Sequence, residues 1–125
     1  MDKNLEALFV KKYVKRNRQD RLLHELTNGK KRARALDRFN HSTEDIIEQT
    51  KIVELILDDK TLDKYLKDEN AYIVSKTHIN GEFLSKDDIK KCLYEEFGAI
   101  IVCAKEYSFI KTEGFAFNSK LYVLK

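Results

Sequence analysis

Residues 99–104, with the sequence AIIVCA, form the longest unbroken apolar run in the chain. Gly98 precedes the run, and the charged pair Lys105-Glu106 follows it. A short apolar run that is rich in β-branched side chains is typical of a strand buried on both faces. The rest of the chain must therefore cover this strand, and we predict the other elements outward from it.

A second strand and a well-marked helix precede this run. Residues 71–76 (AYIVSK) are the strand candidate. The helix is predicted over 85–97, because Ser85 is a favourable N-cap and Gly98 is a favourable residue just past the helix end. A strand, a helix and a strand of these lengths predict a βαβ unit, in which 71–76 and 99–104 are parallel and joined by a right-handed crossover.

The C-terminal tail alternates between apolar and polar residues, which predicts one or two antiparallel strands. Its alternating apolar residues are Phe109, Phe115, Phe117, Leu121 and Val123. Asn118-Ser119 is a candidate hairpin turn, and Gly114 suggests a bend or bulge. We expect the last strand to lie beside 99–104, because strands that follow one another in sequence usually neighbour in space.

The N-terminal part of the chain is predicted to be helical. Apolar side chains recur at i, i+3, i+4 and i+8 from Leu5, which predicts an amphipathic helix over 2–15. Asn17 is a candidate N-cap for a second helix, which ends at Asn28-Gly29. A third helix is predicted over 30–39.

The segment 44–57 fits two structures. Its apolar residues recur at helical spacing, and Ser42 supplies a helix start, so a helix is favoured. Residues 52–57 also fit a short strand, and this alternative stays open. Asp59 can cap a short helix that follows and that carries Leu62, Tyr65 and Leu66.

These elements predict the α+β class, or a small α/β fold, in one domain over 1–125, which suits a chain of 125 residues. Residues 1–70 are expected to be mainly helical and to pack on a mixed sheet of three or four strands. Residues 71–125 are expected to form that sheet, with one βαβ unit and a C-terminal antiparallel hairpin.

Composition excludes several classes of protein. The N-terminal residues do not show a signal-peptide pattern, in which a basic region precedes an apolar region and a cleavage site. No apolar run approaches the ~20 residues that span a bilayer. We therefore expect a cytosolic protein without a membrane partner. Cys92 and Cys103 lack the spacing of a metal or redox motif and are expected to be reduced core residues. We expect no metal and no cofactor, and the proline-free, lysine- and isoleucine-rich composition favours a bacterial source.

Charge is distributed unevenly along the chain. Residues 1–41 hold 12 lysines and arginines against 5 acidic residues, whereas residues 42–70 hold 4 against 9. The basic part predicts contact with an anionic partner such as RNA or DNA. The candidate residues for such contact are Arg16, Arg18, Arg21, Lys30, Lys31, Arg34, Arg38 and His41, with Arg32 in the same run. The alternative, which we favour, is a solvated basic face partly neutralised by the acidic residues of 44–69.

Catalytic motifs are missing from the sequence. His24, His41 and His78 are isolated from one another, and no GxSxG or HExxH pattern occurs. An enzyme would place its site at the C-terminal ends of the parallel strands, near residues 75–78 and 105. Ser75, His78 and Lys105 are the candidates there.

The function that the sequence favours is a non-enzymatic binding or regulatory module that acts on another protein. The aromatic residues near the predicted sheet, or the free edge of the C-terminal strand, would supply the contact surface. RNA or DNA binding through residues 16–38 is the first alternative, and a small enzyme is the second. The sequence leaves the oligomeric state open.

Overall fold

The computed structural model describes residues 2–67, 70–96, 98–112 and 120–125. Helices and strands are mixed along these ranges, which confirms the α+β class. The elements are α1 (Lys3–Tyr13), α2 (Arg16–Leu26), α3 (Gly29–Ile46), a 3₁₀ turn (Gln49–Lys51), β1 (Ile52–Ile56), α4 (Asp59–Tyr65), β2 (Ala71–Val74), β3 (Phe83–Leu84), α5 (Lys86–Glu95), β4 (Ile100–Cys103), β5 (Ser108–Thr112) and β6 (Lys120–Leu124).

The six strands form one sheet in the order β1-β6-β5-β4-β2-β3, and every neighbouring pair is antiparallel. The predicted mixed sheet of three or four strands is therefore wrong. The predicted last-strand position is also wrong, because β6 lies between β1 and β5 rather than beside β4. The C-terminal strand thus has no free edge along its paired length.

The predicted βαβ unit is wrong because β2 and β4 are antiparallel neighbours, with Tyr72 opposite Cys103 and Val74 opposite Ile101. After β2 the chain reverses at a turn, in which Gly81 adopts a φ of 82°. The short strand β3 follows this turn and pairs with β2. The helix α5 therefore starts from β3. It connects β3 to β4, which run in the same direction on the two sides of β2.

Local capping signals place most helix starts. The Asp2 side chain accepts hydrogen bonds from the backbone amides of Asn4 and Leu5, at 3.1 and 3.0 Å, and so caps α1, which begins at Lys3, close to the predicted start. Ser85 caps α5, which confirms the predicted start of that helix. The helix ends at Glu95 rather than at 97, so Gly98, with a φ of 83°, does not directly follow its end as predicted. Asn17 does not cap α2, because it lies within that helix and Lys15 holds the cap position.

The helix preferred over 44–57 is wrong beyond Ile46. The third helix continues past 39, is distorted at Ser42 (φ −133°, ψ 22°) and ends at Ile46. Residues 52–56 then form β1, so the strand alternative is confirmed. The pairing of β1 with β6 begins with Ile52 opposite Leu124. This pairing overrides the helical spacing of the segment. Asp58, rather than Asp59, caps α4.

The sheet separates two apolar clusters. One combines side chains of α1, α2 and α3 with alternate sheet residues such as Ile101. The other combines α4 and α5 with the intervening sheet residues, including Ile100 and Val102. We call these sides the N-terminal face and the C-terminal face. The β4 strand contributes to both clusters, which confirms that the apolar run is a strand buried on both faces.

The strands β5 and β6 confirm the predicted antiparallel pair in the tail. Phe115, Phe117 and the Asn118-Ser119 turn lie outside the described residues. Among the helices that the structure describes, none is long and apolar enough to span a membrane.

Candidate functional site

The structure places the predicted basic residues on α2 and α3. Arg16, Arg18 and Arg21 lie on α2, and the others lie on α3, namely Lys30, Lys31, Arg34, Arg38 and His41. All are exposed except Arg38, which is half-buried. Lys31 and Arg34 are therefore available to a partner, while Arg38 is partly enclosed between the helices.

Two of these arginines are paired within the helical layer itself. Arg38 donates a hydrogen bond to the carboxylate of Glu25, which also lies 3.7 Å from the Arg21 guanidinium. Glu25 is 9% exposed. The Arg38 hydrogen bond joins α3 to α2, whereas the Arg21 contact lies within α2. Because both guanidinium groups share one carboxylate, Arg21 and Arg38 are less available to an anionic partner.

The described ion pairs of the acidic segment are formed with α5 and β6 rather than with the basic helices. They join Asp63 to Lys86 and Lys90, and Glu54 to Lys120. None of the described residues of 44–69 forms an ion pair with a basic residue of α2 or α3, and partial neutralisation of the basic face by this segment stays a prediction. Five of the predicted basic residues of α2 and α3 have no ion pair with any residue in the described ranges. They are Arg16, Arg18, Lys30, Lys31 and Arg34. Nucleic-acid binding through them stays a prediction.

Arg32 differs from the other basic residues, because it is buried. Its guanidinium nitrogens lie 2.5 and 3.0 Å from the two carboxylate oxygens of Glu6, and both side chains are less than 10% exposed. Arg32 also donates to the carbonyl of Leu26 and to Asn80 Oδ1, at 3.0 and 2.7 Å. The sequence carried a signal that was missed, since Arg32 lies four residues before the buried Leu36 and thus on the same helix face.

Tyr72 extends this network to the sheet. Its hydroxyl donates to Glu6 Oε2 at 2.7 Å and accepts from the Asp2 backbone amide at 2.7 Å. Burial, together with the Glu6 carboxylate, raises the pKa of Tyr72 to about 12, so the phenol keeps its proton. The network of Asp2, Glu6, Arg32, Tyr72 and Asn80, here called the Glu6 network, joins α1, α3 and β2.

A groove of about 560 Å³ lies between α1 and the β2-β3 end of the sheet. We call it the α1 groove. Its α1 side is lined by Leu5, Leu8, Phe9, Lys11, Lys12 and Tyr13. Its other side is lined by Asn70, Tyr72, Phe83, Cys103, Ala104, Lys105 and Ser108. Both the volume and the mainly apolar lining fall within the range of protein binding sites.

Leu8 and Phe83 are the exposed apolar side chains of the α1 groove, at 62% and 56% exposure. The other large apolar residues that are exposed in the described ranges lie on β1 and α5; they are Val53, Ile56 and Tyr94. No prediction of the groove followed from the sequence. The predicted apolar stripe of α1 included Leu8, and Phe83 belonged to none of the predicted helices or strands.

Three of the predicted sheet aromatics that the structure describes supply no open surface. Tyr72, Phe109 and Tyr122 are buried at 1%, 0% and 5% exposure, because helices cover both faces of the sheet. The exposed aromatic residue of the groove, Phe83, instead packs its ring 5.3 Å from that of Tyr72.

The predicted catalytic candidates are not brought together. Since β2 and β4 are antiparallel, Ser75 and His78 follow one end of the sheet and Lys105 follows the other. Ser75 is buried, and its hydroxyl oxygen lies 3.0 Å from Thr77 Oγ1 in a local turn. Burial raises the pKa of the Cys103 thiol to about 12, so it is a poor nucleophile. The described residues contain no cluster of three potential metal ligands.

Comparison with known proteins adds no relative: no protein-family model, no curated protein and no solved structure matches the chain.

Proposed function

We propose that this chain is a small cytosolic binding module that acts on another protein and contacts it through the α1 groove. The observation that carries the proposal is the position of Leu8 and Phe83. These large apolar side chains come from different elements, are more than half exposed and line one concave surface. Apolar side chains gathered around a concavity mark interaction sites, whereas isolated exposed ones are common on any surface.

The wall of the groove is held in place before any partner binds. Tyr72 lines the groove and is also a member of the Glu6 network. Glu6 lies on α1, so the same hydrogen bonds fix that helix relative to the sheet. A surface that is already ordered loses little conformational entropy on binding, which favours affinity.

Two groove variants and one matched control test this proposal. Leu8→Asp and Phe83→Asp each put a charge into the apolar surface, and both side chains are exposed enough for the fold to accept it. Ile56→Asp is the control, because Ile56 is 75% exposed on β1, at the opposite edge of the sheet.

The measurement is capture of proteins from an extract of the source cells by each tagged variant. The recovered partner is then purified and its Kd is determined with each variant. We expect Leu8→Asp and Phe83→Asp to weaken binding by about tenfold or more and Ile56→Asp to leave it unchanged. Equal binding by all three variants, or the recovery of no stoichiometric partner, contradicts the proposal.

A second candidate function is nucleic-acid binding through α2 and α3. It is favoured by the five exposed cations that have no ion pair with any residue in the described ranges. Such cations release counterions when they meet phosphates, so the affinity falls steeply as the salt concentration rises.

A triple variant tests this second function by titration of labelled duplex DNA and RNA at several salt concentrations. The variant Lys30→Ala, Lys31→Ala, Arg34→Ala is expected to lower the slope of log affinity against log salt by about 3. The matched control is Lys60→Ala, Lys64→Ala, Lys91→Ala, which removes the same charge from α4 and α5. The candidate function fails if wild-type protein shows no binding at low salt, or if both variants bind equally.

A further inference from the structure

We infer that the α1 groove accepts an amphipathic α-helix of the partner protein, with acidic side chains placed against Lys11 and Lys12. This inference rests on the proposed protein-binding function and adds the conformation and the charge of the bound segment.

The groove wall on α1 has the spacing of a helix-packing surface. Leu5, Leu8 and Lys12 lie at i, i+3 and i+7, so they form one ridge along the helix, with the buried Phe9 beneath it. At 1.5 Å per residue this ridge is about 10 Å long. Helices pack on one another by fitting such ridges into grooves, so an apolar stripe of a second helix matches this wall.

The groove offers few backbone hydrogen-bond partners to a bound segment. An extended segment carries backbone N–H and C=O groups that need partners once it is bound on an apolar surface. The nearest sheet edge is β3, which consists only of Phe83 and Leu84. Two residues cannot pair with a segment long enough to fill the groove, whereas a helix satisfies its own backbone groups.

Basic side chains line the α1 side of the groove. Lys11 and Lys12 line it, are exposed, and form no ion pair within the ranges that the structure describes. Glu6, the acidic residue within α1, has both carboxylate oxygens occupied by Arg32 and Tyr72. The Asp2 carboxylate accepts hydrogen bonds from the amides that open α1. The α1 rim therefore presents a positive charge, which complements acidic side chains on the bound helix.

The test is a phage-displayed library of random peptides of about 16 residues, long enough for roughly four helical turns. Peptides are selected on the wild-type protein and then rescreened against Leu8→Asp, with Ile56→Asp as the control surface. We expect the Leu8-dependent peptides to carry apolar residues at i, i+3, i+4 and i+7 with flanking Asp or Glu. We also expect a helical circular-dichroism difference spectrum when a synthetic copy binds.

Charge is tested separately with a double variant. Lys11→Glu with Lys12→Glu is expected to weaken binding of the selected acidic peptide by about tenfold. The same variant is expected to bind more tightly a copy of the peptide in which lysines replace the acidic residues. The matched control is Lys60→Glu with Lys64→Glu on α4, for which no change is expected.

The outcomes separate the inference from the proposed function. If Leu8-dependent peptides are selected but lack the helical spacing or the acidic residues, the inference is wrong and the groove remains a protein-binding site. The inference is equally overturned if the Lys11/Lys12 variant binds the acidic peptide as wild-type protein does. If every selected peptide binds Leu8→Asp unchanged, both the inference and the groove proposal are wrong.

Discussion

The two faces of the sheet are covered by helices that are held in different ways. On the N-terminal face, apolar packing is combined with the buried Glu6 network, which joins α1 and α3 to β2. On the C-terminal face, α4 and α5 pack through apolar side chains such as Leu62 and Leu93. The one buried charge described near that packing is Lys111, whose ammonium meets the carbonyls of Glu96 and Gly98.

This difference indicates how each layer is specified. Apolar packing tolerates small shifts of a helix, whereas a bidentate ion pair with further hydrogen bonds permits one position. The N-terminal face is also the side that carries the α1 groove and the basic helices. The polar contacts therefore fix the elements on which both candidate functions depend.

The largest expected effect is the loss of one charge from the Glu6 network. Arg32→Met leaves the Glu6 carboxylate buried without its cation, and we expect it to lower the free energy of unfolding by about 3–5 kcal/mol. Urea denaturation followed by circular dichroism measures this change. The double variant Glu6→Leu, Arg32→Met serves as the control, because it removes both charges and is expected to recover most of the loss. A single variant as stable as wild type would show that the pair does not hold this face.

A cavity on the C-terminal face is expected to cost somewhat less. Leu93 is 1% exposed, so Leu93→Ala removes buried apolar volume and should destabilise the protein by about 3 kcal/mol. Unlike the loss of stability caused by Arg32→Met, the loss caused by Leu93→Ala should not be recovered by removing a neighbouring charge. Lys91→Ala, at an exposed position of the same helix, is the control and should change stability by less than about 0.5 kcal/mol. Similar losses in the two variants would contradict the burial of Leu93.

Two tyrosines of the N-terminal face give a matched pair of smaller effects. The Tyr72 hydroxyl has two partners, so Tyr72→Phe should destabilise the protein by about 1–2 kcal/mol. The Tyr13 hydroxyl is buried and has no partner among the described residues, so Tyr13→Phe should be neutral or slightly stabilising. Thermal and urea denaturation of both variants checks the difference. Equal losses would mean that the Glu6 network does not depend on the phenol.

The smallest expected effect is a change in alkaline stability. Burial raises the pKa of Tyr72 and of Tyr122 from the ordinary value of 10.0 to about 12. Between about pH 10 and pH 12 the unfolded chain therefore binds fewer protons than the folded chain, and stability falls as the pH rises. We expect Tyr72→Phe to flatten this fall, measured as the urea midpoint against pH. An unchanged slope would contradict the raised pKa of Tyr72.

The sequence predicted the features that depend on a few neighbouring residues. The cap at Ser85 and the buried strand within 99–104 are of this kind. A cap is a contact within about three residues, so the same residues that form it also encode it. The exposure of Lys31 and Arg34 was predicted for the same reason, since helical spacing places them away from the apolar face.

The tertiary structure alone decided the features that join distant parts of the chain. The β1 strand forms because residue 52 pairs with residue 124, and helical spacing in 44–57 carried no information about that partner. The burial of Arg32 depends on Glu6, 26 residues away, and on Tyr72 in the sheet. The α1 groove likewise requires α1 and β3 to lie side by side. Such contacts depend on the tertiary arrangement of segments that are distant in the sequence, and local propensity does not specify that arrangement.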